Sequence, residues 1–220
     1  MIDEEQPPIW RQAIKDSTHA LHQATWLLFS PNMNAKGAAK MLAAQREQVI
    51  PYLFQILDTP ELYLESAFGG GMAPVHAVKL LGEWQVKEGV PRLLHILRED
   101  DWESSVHDAS ILALEQMDAS IINDLLHLAT ENPKQVVTIA SIVGKLGKGD
   151  PKIFEWLCGI FQKQKDEIDV MFTAEILLSN HMDAAVEFLE DQMKRNKYSK
   201  WTLKQIQGYI KVAREGKWIS

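Results

Sequence analysis

Leucine recurs along the chain at an interval of 32 residues, at Leu93, Leu125, Leu157 and Leu189. Each leucine lies in a short segment whose other large apolar residues have helical spacing. Segment 50–57 matches segment 90–97 at a longer interval of 40 residues, and both have proline at the second place. Because a fixed period of this size is typical of repeated structural units, the pattern predicts that one unit recurs along most of the chain.

A second set of positions has the same 32-residue period and carries small residues, namely Ala77, Ala109, Ser141 and Thr173, with Gly37 in the first unit. Apolar residues at helical spacing follow each of them. A small side chain at a fixed place allows two helices to approach closely. We therefore expect two amphipathic helices of about three turns in each unit, and an all-α protein.

Pairs of short helices cannot bury their apolar faces alone, so neighbouring pairs are expected to stack. The clearest unit reads Ala77-Val78-Lys79-Leu80-Leu81-Gly82-Glu83, followed by Gly89-Val90-Pro91-Arg92-Leu93-Leu94. This unit resembles a HEAT repeat of the short kind found in phycobilisome-lyase-like proteins, and the resemblance covers about residues 35–195. It implies an armadillo-like, right-handed α-solenoid of about five HEAT-like helical pairs. Such repeats indicate an architecture and no particular chemistry.

The two ends of the chain are expected to cap this array, because terminal units of a solenoid need one polar outer face. Apolar positions predict a helix over residues 7–29 and another over 200–214. The expected organisation is one α-solenoid domain over 1–220. Its parts are an N-terminal cap helix within 1–34, repeats over 35–195 with an insertion at 58–74, and a basic C-terminal cap helix within 196–220.

The 220 residues include 23 basic and 30 acidic residues, a formal charge of −7, which argues against a protein that simply coats nucleic acid. The charge is uneven, since residues 193–217 carry eight basic residues against one acidic, or +7, and residues 1–192 carry −14. The tail also contains aromatic residues, so it is a candidate surface for a phosphate backbone or for an acidic protein. The interpretation that we favour is a solvated cap helix or one that neutralises the acidic body. The candidate residues are Lys194, Arg195, Lys197, Lys200, Trp201 and Lys204.

Equivalent positions of a stacked array form rows, and the HEAT resemblance implies that the second helices line its concave face. Two adjacent rows mix aromatic and charged residues, which often contribute most to binding at interfaces. They predict a partner-binding surface, with a merely solvated helix face as the alternative. The candidates in these rows are Tyr52, Arg92, His95, Asp124, His127 and Trp156. Tyr63 and Phe68 in the insertion, just before Gly69-Gly70-Gly71, are further candidates, and a permissive insertion is the alternative there.

Candidate chemistry is sparse. His95 and His127 stand at equivalent places of adjacent units, but neighbouring helical pairs lie about 10 Å apart, too far for two imidazoles to share an ion easily, so we expect no metal site. Cys158 is the only cysteine, which excludes an intramolecular disulfide and favours a packed thiol. We expect no cofactor. The absence of a signal-like start and of a long apolar run predicts a cytoplasmic protein without a membrane partner.

The sequence therefore predicts a non-enzymatic scaffold or adaptor that binds another protein along its concave face. One form of this prediction is an inhibitor or immunity-type protein whose acidic body neutralises a basic partner. An alternative is nucleic-acid binding through the basic tail, although HEAT-like proteins of that kind need a basic groove, which the acidic body does not display. A third, implied only by the family resemblance, is a bilin lyase or chaperone.

Overall fold

The computed structural model describes residues 8–30, 36–99 and 104–217, with side chains from Lys40 onward in the second range. Within these ranges the chain forms thirteen α-helices and four short 3-10 helices, and no strand. The predicted all-α class is confirmed. Parts of the predicted caps, at 1–7, 31–34 and 218–220, lie outside the described residues.

Two compact units divide the chain at Gln116, namely unit 1 (Met1–Gln116) and unit 2 (Met117–Ser220). Unit 1 contains the α-helices α1 (Ile9–Lys15), α2 (His22–Leu28), α3 (Lys36–Ala44), α4 (Arg46–Leu57), α5 (Met72–Glu83), α6 (Val90–Glu99) and α7 (Ser105–Glu115). Its 3-10 helices are Pro60–Tyr63 and Lys87–Gly89.

Unit 2 contains the α-helices α8 (Ile122–Glu131), α9 (Val136–Leu146), α10 (Pro151–Lys163), α11 (Glu167–Asn180), α12 (Met182–Arg195) and α13 (Lys200–Arg214). Its 3-10 helices are Ala119–Ile121 and Pro133–Gln135. The side chains of Asp150, Asp166 and Ser199 accept hydrogen bonds from backbone N–H groups in the first turns of α10, α11 and α13. These caps explain where the three helices begin, because those N–H groups have no partner within the helix.

The N-terminal segment differs from its prediction as a single cap helix, because two short helices, α1 and α2, occupy it. Asp16 ends the first one. Its carboxylate accepts hydrogen bonds from the backbone N–H and the hydroxyl of Thr18, at 2.9 and 2.6 Å. This local turn competes with continued helix. The C-terminal cap helix, predicted over 200–214, has those bounds in the structure.

The periodic leucines Leu93, Leu125, Leu157 and Leu189 are all fully buried, so the 32-residue repeat marks core positions. In unit 1, α5 packs on α7. The two helices approach so closely at Gly82 that a Cβ added there would lie 2.6 Å from the Cα of Ala113. Glycine at this place therefore sets the distance between the two helices.

In unit 2, α9 packs on α11, and Asn180 at the end of α11 ties the two together. Its amide Nδ2 donates to the backbone carbonyls of Gly144 and Gly147, both at 2.9 Å. These carbonyls stand at the C-terminal end of α9, where helical carbonyls lack partners within their own helix. A single buried side chain on α11 thus completes the end of α9.

Candidate functional site

Four aromatic side chains of unit 1 form a continuous cluster, which we call the aromatic face: Trp10, Trp26, Phe29 and Phe68. Phe68 lies at its centre, with its ring centroid 5.2 Å from that of Trp26 and 5.1 Å from that of Phe29. The ring centroid of Trp10 lies 5.1 Å from that of Phe29. Trp10 and Phe29 are buried, whereas Trp26 and Phe68 are 43% and 47% exposed. The cluster therefore presents two large rings to solvent on a packed aromatic base.

A groove of about 420 Å³ adjoins the aromatic face. Trp10, Ile14, Leu62, Ala67 and Phe68 form its apolar part. The charged side chains of Arg11, Lys15 and Glu61 complete its lining, and the Arg11 guanidinium lies 5.2 Å from the centre of the Trp10 ring. Exposed apolar surface next to polar residues is typical of binding sites for other proteins.

The glycine run positions Phe68 in this cluster. Gly69, Gly70 and Gly71 all have positive φ, a conformation that glycine adopts readily and other residues rarely do. A Cβ at Gly69 would also lie 2.8 Å from the backbone oxygen of Phe29. The loop can therefore approach α2 closely only with glycine at position 69. Tyr63, earlier in the insertion, donates its hydroxyl to the Leu57 carbonyl at 3.0 Å.

His76 on α5 fixes the end of α2 beneath the aromatic face. Its Nδ1 lies 2.8 Å from the backbone oxygen of Leu28, and since a carbonyl only accepts, Nδ1 carries the proton. Burial lowers the pKa of His76, and the charge of Lys79 lowers it further, against the opposing hydrogen bond. The buried Nε2 has no hydrogen-bond partner. The imidazole is therefore held neutral.

The predicted row residues of unit 1 have different surroundings. Tyr52 is only 8% exposed and packs against His19, so it has little free surface for a partner. Arg92 donates two hydrogen bonds to the Asp58 carboxylate, at 2.8 and 2.6 Å, and its guanidinium lies 4.4 Å from the centre of the Phe54 ring. Arg92 thus links α6 to the end of α4. His95, one turn further along α6, is exposed.

The row residues of unit 2 lie on α8 and α10. Asp124 and His127 are exposed on α8, and His127 Nδ1 lies 3.4 Å from a carboxylate oxygen of Glu131. Trp156 on α10 is half-buried.

Burial and, to a smaller extent, the charge of Glu155 raise the pKa of the nearby Cys158 thiol to about 11. Cys158 is therefore a protonated, packed thiol at neutral pH.

The basic tail contributes to a second concave surface, which we call the basic groove. It lies between α12 and α13, has a volume of about 640 Å³, and includes Lys194 of the candidate set. Lys197, Lys200 and Lys204 are exposed nearby in sequence, and Trp201 is exposed near the start of α13. Arg195 is exposed but donates to the Asp191 carboxylate at 2.8 Å. The structure thus brings Lys194 together with Lys211 and Arg214, which the sequence had placed only in a charged segment.

Sequence reasoning identified Tyr63 and Phe68 but not the surface that Phe68 completes. Trp10 and Trp26 were expected only as apolar residues of the N-terminal cap. Their grouping arises from the packing of α1 on α2 and of α2 against α4 and α5, which no repeat period describes. The available signal was the presence of Trp10, Trp26 and Phe29 in the non-periodic segment 7–29, with Phe68 in the insertion 58–74.

Within the described residues, no group of three or more His, Cys, Asp or Glu side chains is arranged to hold a metal ion. No helix of that part of the chain has the length and apolar character needed to cross a membrane.

A scan of the chain against protein-family models finds no match, and searches among curated proteins and among solved structures find none either. The resemblance to HEAT repeats therefore rests on the repeat pattern of the chain itself.

Proposed function

We propose that this protein is a non-enzymatic binding protein that holds a segment of another protein on the aromatic face of unit 1. The observation that carries the proposal is the pair of exposed rings, Trp26 and Phe68, set beside an apolar groove. Large aromatic side chains in such settings contribute most of the binding free energy at many protein interfaces. The proposed partner segment places apolar side chains in the groove.

The arrangement supports this role because the rings are held before any partner arrives. Trp26 meets Phe68 edge to face, and Phe68 also contacts the buried Phe29. Contacts of this kind each contribute about 0.5–1.5 kcal/mol beyond the burial of area. A surface that is already ordered loses little side-chain entropy on binding, which favours affinity.

The finer architecture belongs to the same proposal. We propose a right-handed α-solenoid of about five HEAT-like pairs with terminal caps. The close packing of α5 on α7 in unit 1 and of α9 on α11 in unit 2 supports it, since the predicted first helices stack side by side in each. In this architecture, His95, Asp124, His127 and Trp156 offer a second partner surface on the second helices. A cytoplasmic location remains part of the proposal.

Phe68→Ala and Trp26→Ala test the aromatic face directly. We expect affinity capture followed by mass spectrometry to identify a protein whose recovery falls at least tenfold with either variant. The same loss must then appear as a weaker Kd in titrations with the purified partner. Phe172→Ala is the matched control, because Phe172 on α11 of unit 2 is 54% exposed and its truncation removes the same side chain elsewhere.

Three results overturn or redirect the proposal. If no captured protein depends on Phe68 or Trp26 while both variants remain folded by circular dichroism, the aromatic face is not the binding site. If the Phe172→Ala variant loses the partner equally, the effect is not specific to this face. If recovery depends instead on Trp156→Ala combined with Arg92→Glu, the partner binds the surface of the second helices.

A further inference from the structure

The basic groove of unit 2 differs from the aromatic face in both charge and shape. We propose that it docks an acidic amphipathic helix of another protein, with the apolar side of that helix on the groove floor and its carboxylates against the lysines of the rim. This surface is separate from the aromatic face, and the proposal does not depend on the function proposed above.

The groove lies along a side of α13 that adjoins its buried side. One side buries Thr202, Ile206, Ile210 and Ala213 in unit 2. The adjoining side carries Leu203, Gln207 and Lys211 at helical spacing, and these residues line the groove. Across from them, α12 contributes Met193 and Lys194. The floor is thus aliphatic, with Met193, Leu203 and Ile210, and a methionine adapts easily to the side chains of a docked helix.

The charges of the rim favour an acidic partner. The two acidic residues that line the groove are already paired, since Glu190 lies 2.8 Å from Arg214, and Glu215 lies 2.8 Å from Lys217 and 3.9 Å from Lys211. Of the three basic residues that line the groove, Lys211 and Arg214 belong to these pairs, whereas within the described part of the chain no ion pair involves Lys194. The exposed Lys197, Lys200 and Lys204 lie outside the lining, between the end of α12 and the first turns of α13, and form no ion pair in that part of the chain either. The unpaired charge at and near the groove is therefore positive, which favours carboxylates on the partner.

The floor argues for a helix rather than for a nucleic acid. Proteins that hold single strands stack bases on aromatic side chains, and the residues that line this groove include none. Trp201 lies outside the lining, and Tyr198 is packed against Phe161, with ring centroids 6.3 Å apart. An aliphatic groove between two helices instead fits the apolar side of a third helix.

A labelled synthetic peptide tests the proposal with the full-length chain. The peptide is a single helix with Leu at helical spacing on one side and Glu on the other, and its control is a scrambled peptide of the same composition. Fluorescence anisotropy at low salt is expected to show at least tenfold tighter binding of the amphipathic peptide. Raising the salt should weaken this binding without abolishing it, because charges are screened and the apolar contact is not.

Groove variants locate the binding. Lys194→Glu combined with Lys211→Glu is expected to weaken the peptide at least tenfold, and Met193→Gln several-fold. Lys134→Glu combined with Lys163→Glu changes the net charge equally at exposed positions outside the groove lining and should have little effect. Phe68→Ala should leave the peptide affinity unchanged, which separates this proposal from the aromatic face.

Equal binding of both peptides, no binding of either, or equal losses from the groove and control pairs would overturn the proposal. A labelled 20-nucleotide strand that competes with the peptide and weakens with Trp201→Ala would replace it with nucleic-acid binding. A homodimer in size-exclusion chromatography that the groove pair dissociates would show a second copy as the occupant.

Discussion

The aromatic face in unit 1 depends on a glycine turn and on side chains from three separate segments, whereas the basic groove in unit 2 lies between two regular helices. A side chain at position 69 would displace a backbone segment that lies close to the backbone oxygen of Phe29. The basic groove, by contrast, keeps its shape as long as α12 and α13 stay packed. The comparison predicts that the two surfaces differ in their tolerance of sequence change. Each prediction below tests that difference.

The largest effect is expected from Gly69→Ala. The positive φ costs about 1–2 kcal/mol for alanine, and the contact with the Phe29 oxygen adds about 1–3 kcal/mol. We expect unfolding of unit 1 to require about 2–5 kcal/mol less, as measured by chemical denaturation. Gly70→Ala is the matched control, because Gly70 has a similar φ but open space around its Cβ position, and should cost only about 1–2 kcal/mol. Equal losses from both would mean that the contact with Phe29 does not matter.

Acidification should weaken unit 1 through His76. The pKa of this buried imidazole is lowered on folding, so the folded state resists protonation, and stability falls as the pH decreases from the ordinary histidine pKa toward the folded one. Protonation adds a proton at Nε2, which has no partner. The protection factors of the 21–30 segment, which correct hydrogen exchange for its intrinsic pH dependence, should fall as the pH decreases from 6.5, and less so in His76→Gln. An identical pH response in the variant would assign the effect to another group.

A smaller, opposite effect is expected next to the basic groove. Gly208 lies in the interior of α13 beside Gln207 of the groove lining, and no atom lies within 4 Å of its Cβ position. Gly208→Ala should therefore raise the stability of unit 2 by about 0.5–1 kcal/mol through helix propensity alone. Peptide binding in the groove should not change. A loss of stability would show that α13 is less tolerant than the comparison implies.

The smallest expected effect is on the alkylation rate of the Cys158 thiol. This rate reports whether unit 2 stays closed around the thiol, and measuring it requires no substitution at Cys158. With a thiol pKa of about 11, its alkylation at pH 7.5 should be much slower than that of a free thiol and should rise with pH up to that value. The groove variants should leave this rate unchanged. A faster rate in Lys194→Glu combined with Lys211→Glu would reveal that the pair opens unit 2, and that its weaker binding is not specific.

Periodic positions were the predictable part of this fold. The four leucines 32 residues apart are buried, and the helix over 200–214 has the expected bounds, because spacing along one helix determines which side faces the core. The end of α1 at Asp16 was not predicted. The Asp16 carboxylate accepts a hydrogen bond from the backbone N–H of Thr18, and this local turn prevails over the continued helix that the apolar pattern predicts.

The candidate surfaces were less predictable, because they depend on contacts between distant segments. Tyr52 has the right residue type and place for a surface row, yet it is covered by the turn that contains His19. Arg92 is similarly engaged by Asp58, 34 residues earlier in the chain. A repeat pattern gives the orientation of a side chain on its own helix, but not the cap or loop that packs over it.

The amide of Asn180 has a consequence for synthesis on the ribosome. It supplies the hydrogen bonds at the end of α9 from 36 residues further along the chain. Since chains emerge from the N-terminus and fold as units, α9 is made well before the side chain that completes it. In a nascent chain paused before residue 180, water would bind these two carbonyls in place of the Asn180 amide, so we expect the end of α9 to reach its buried form only after α11 has emerged.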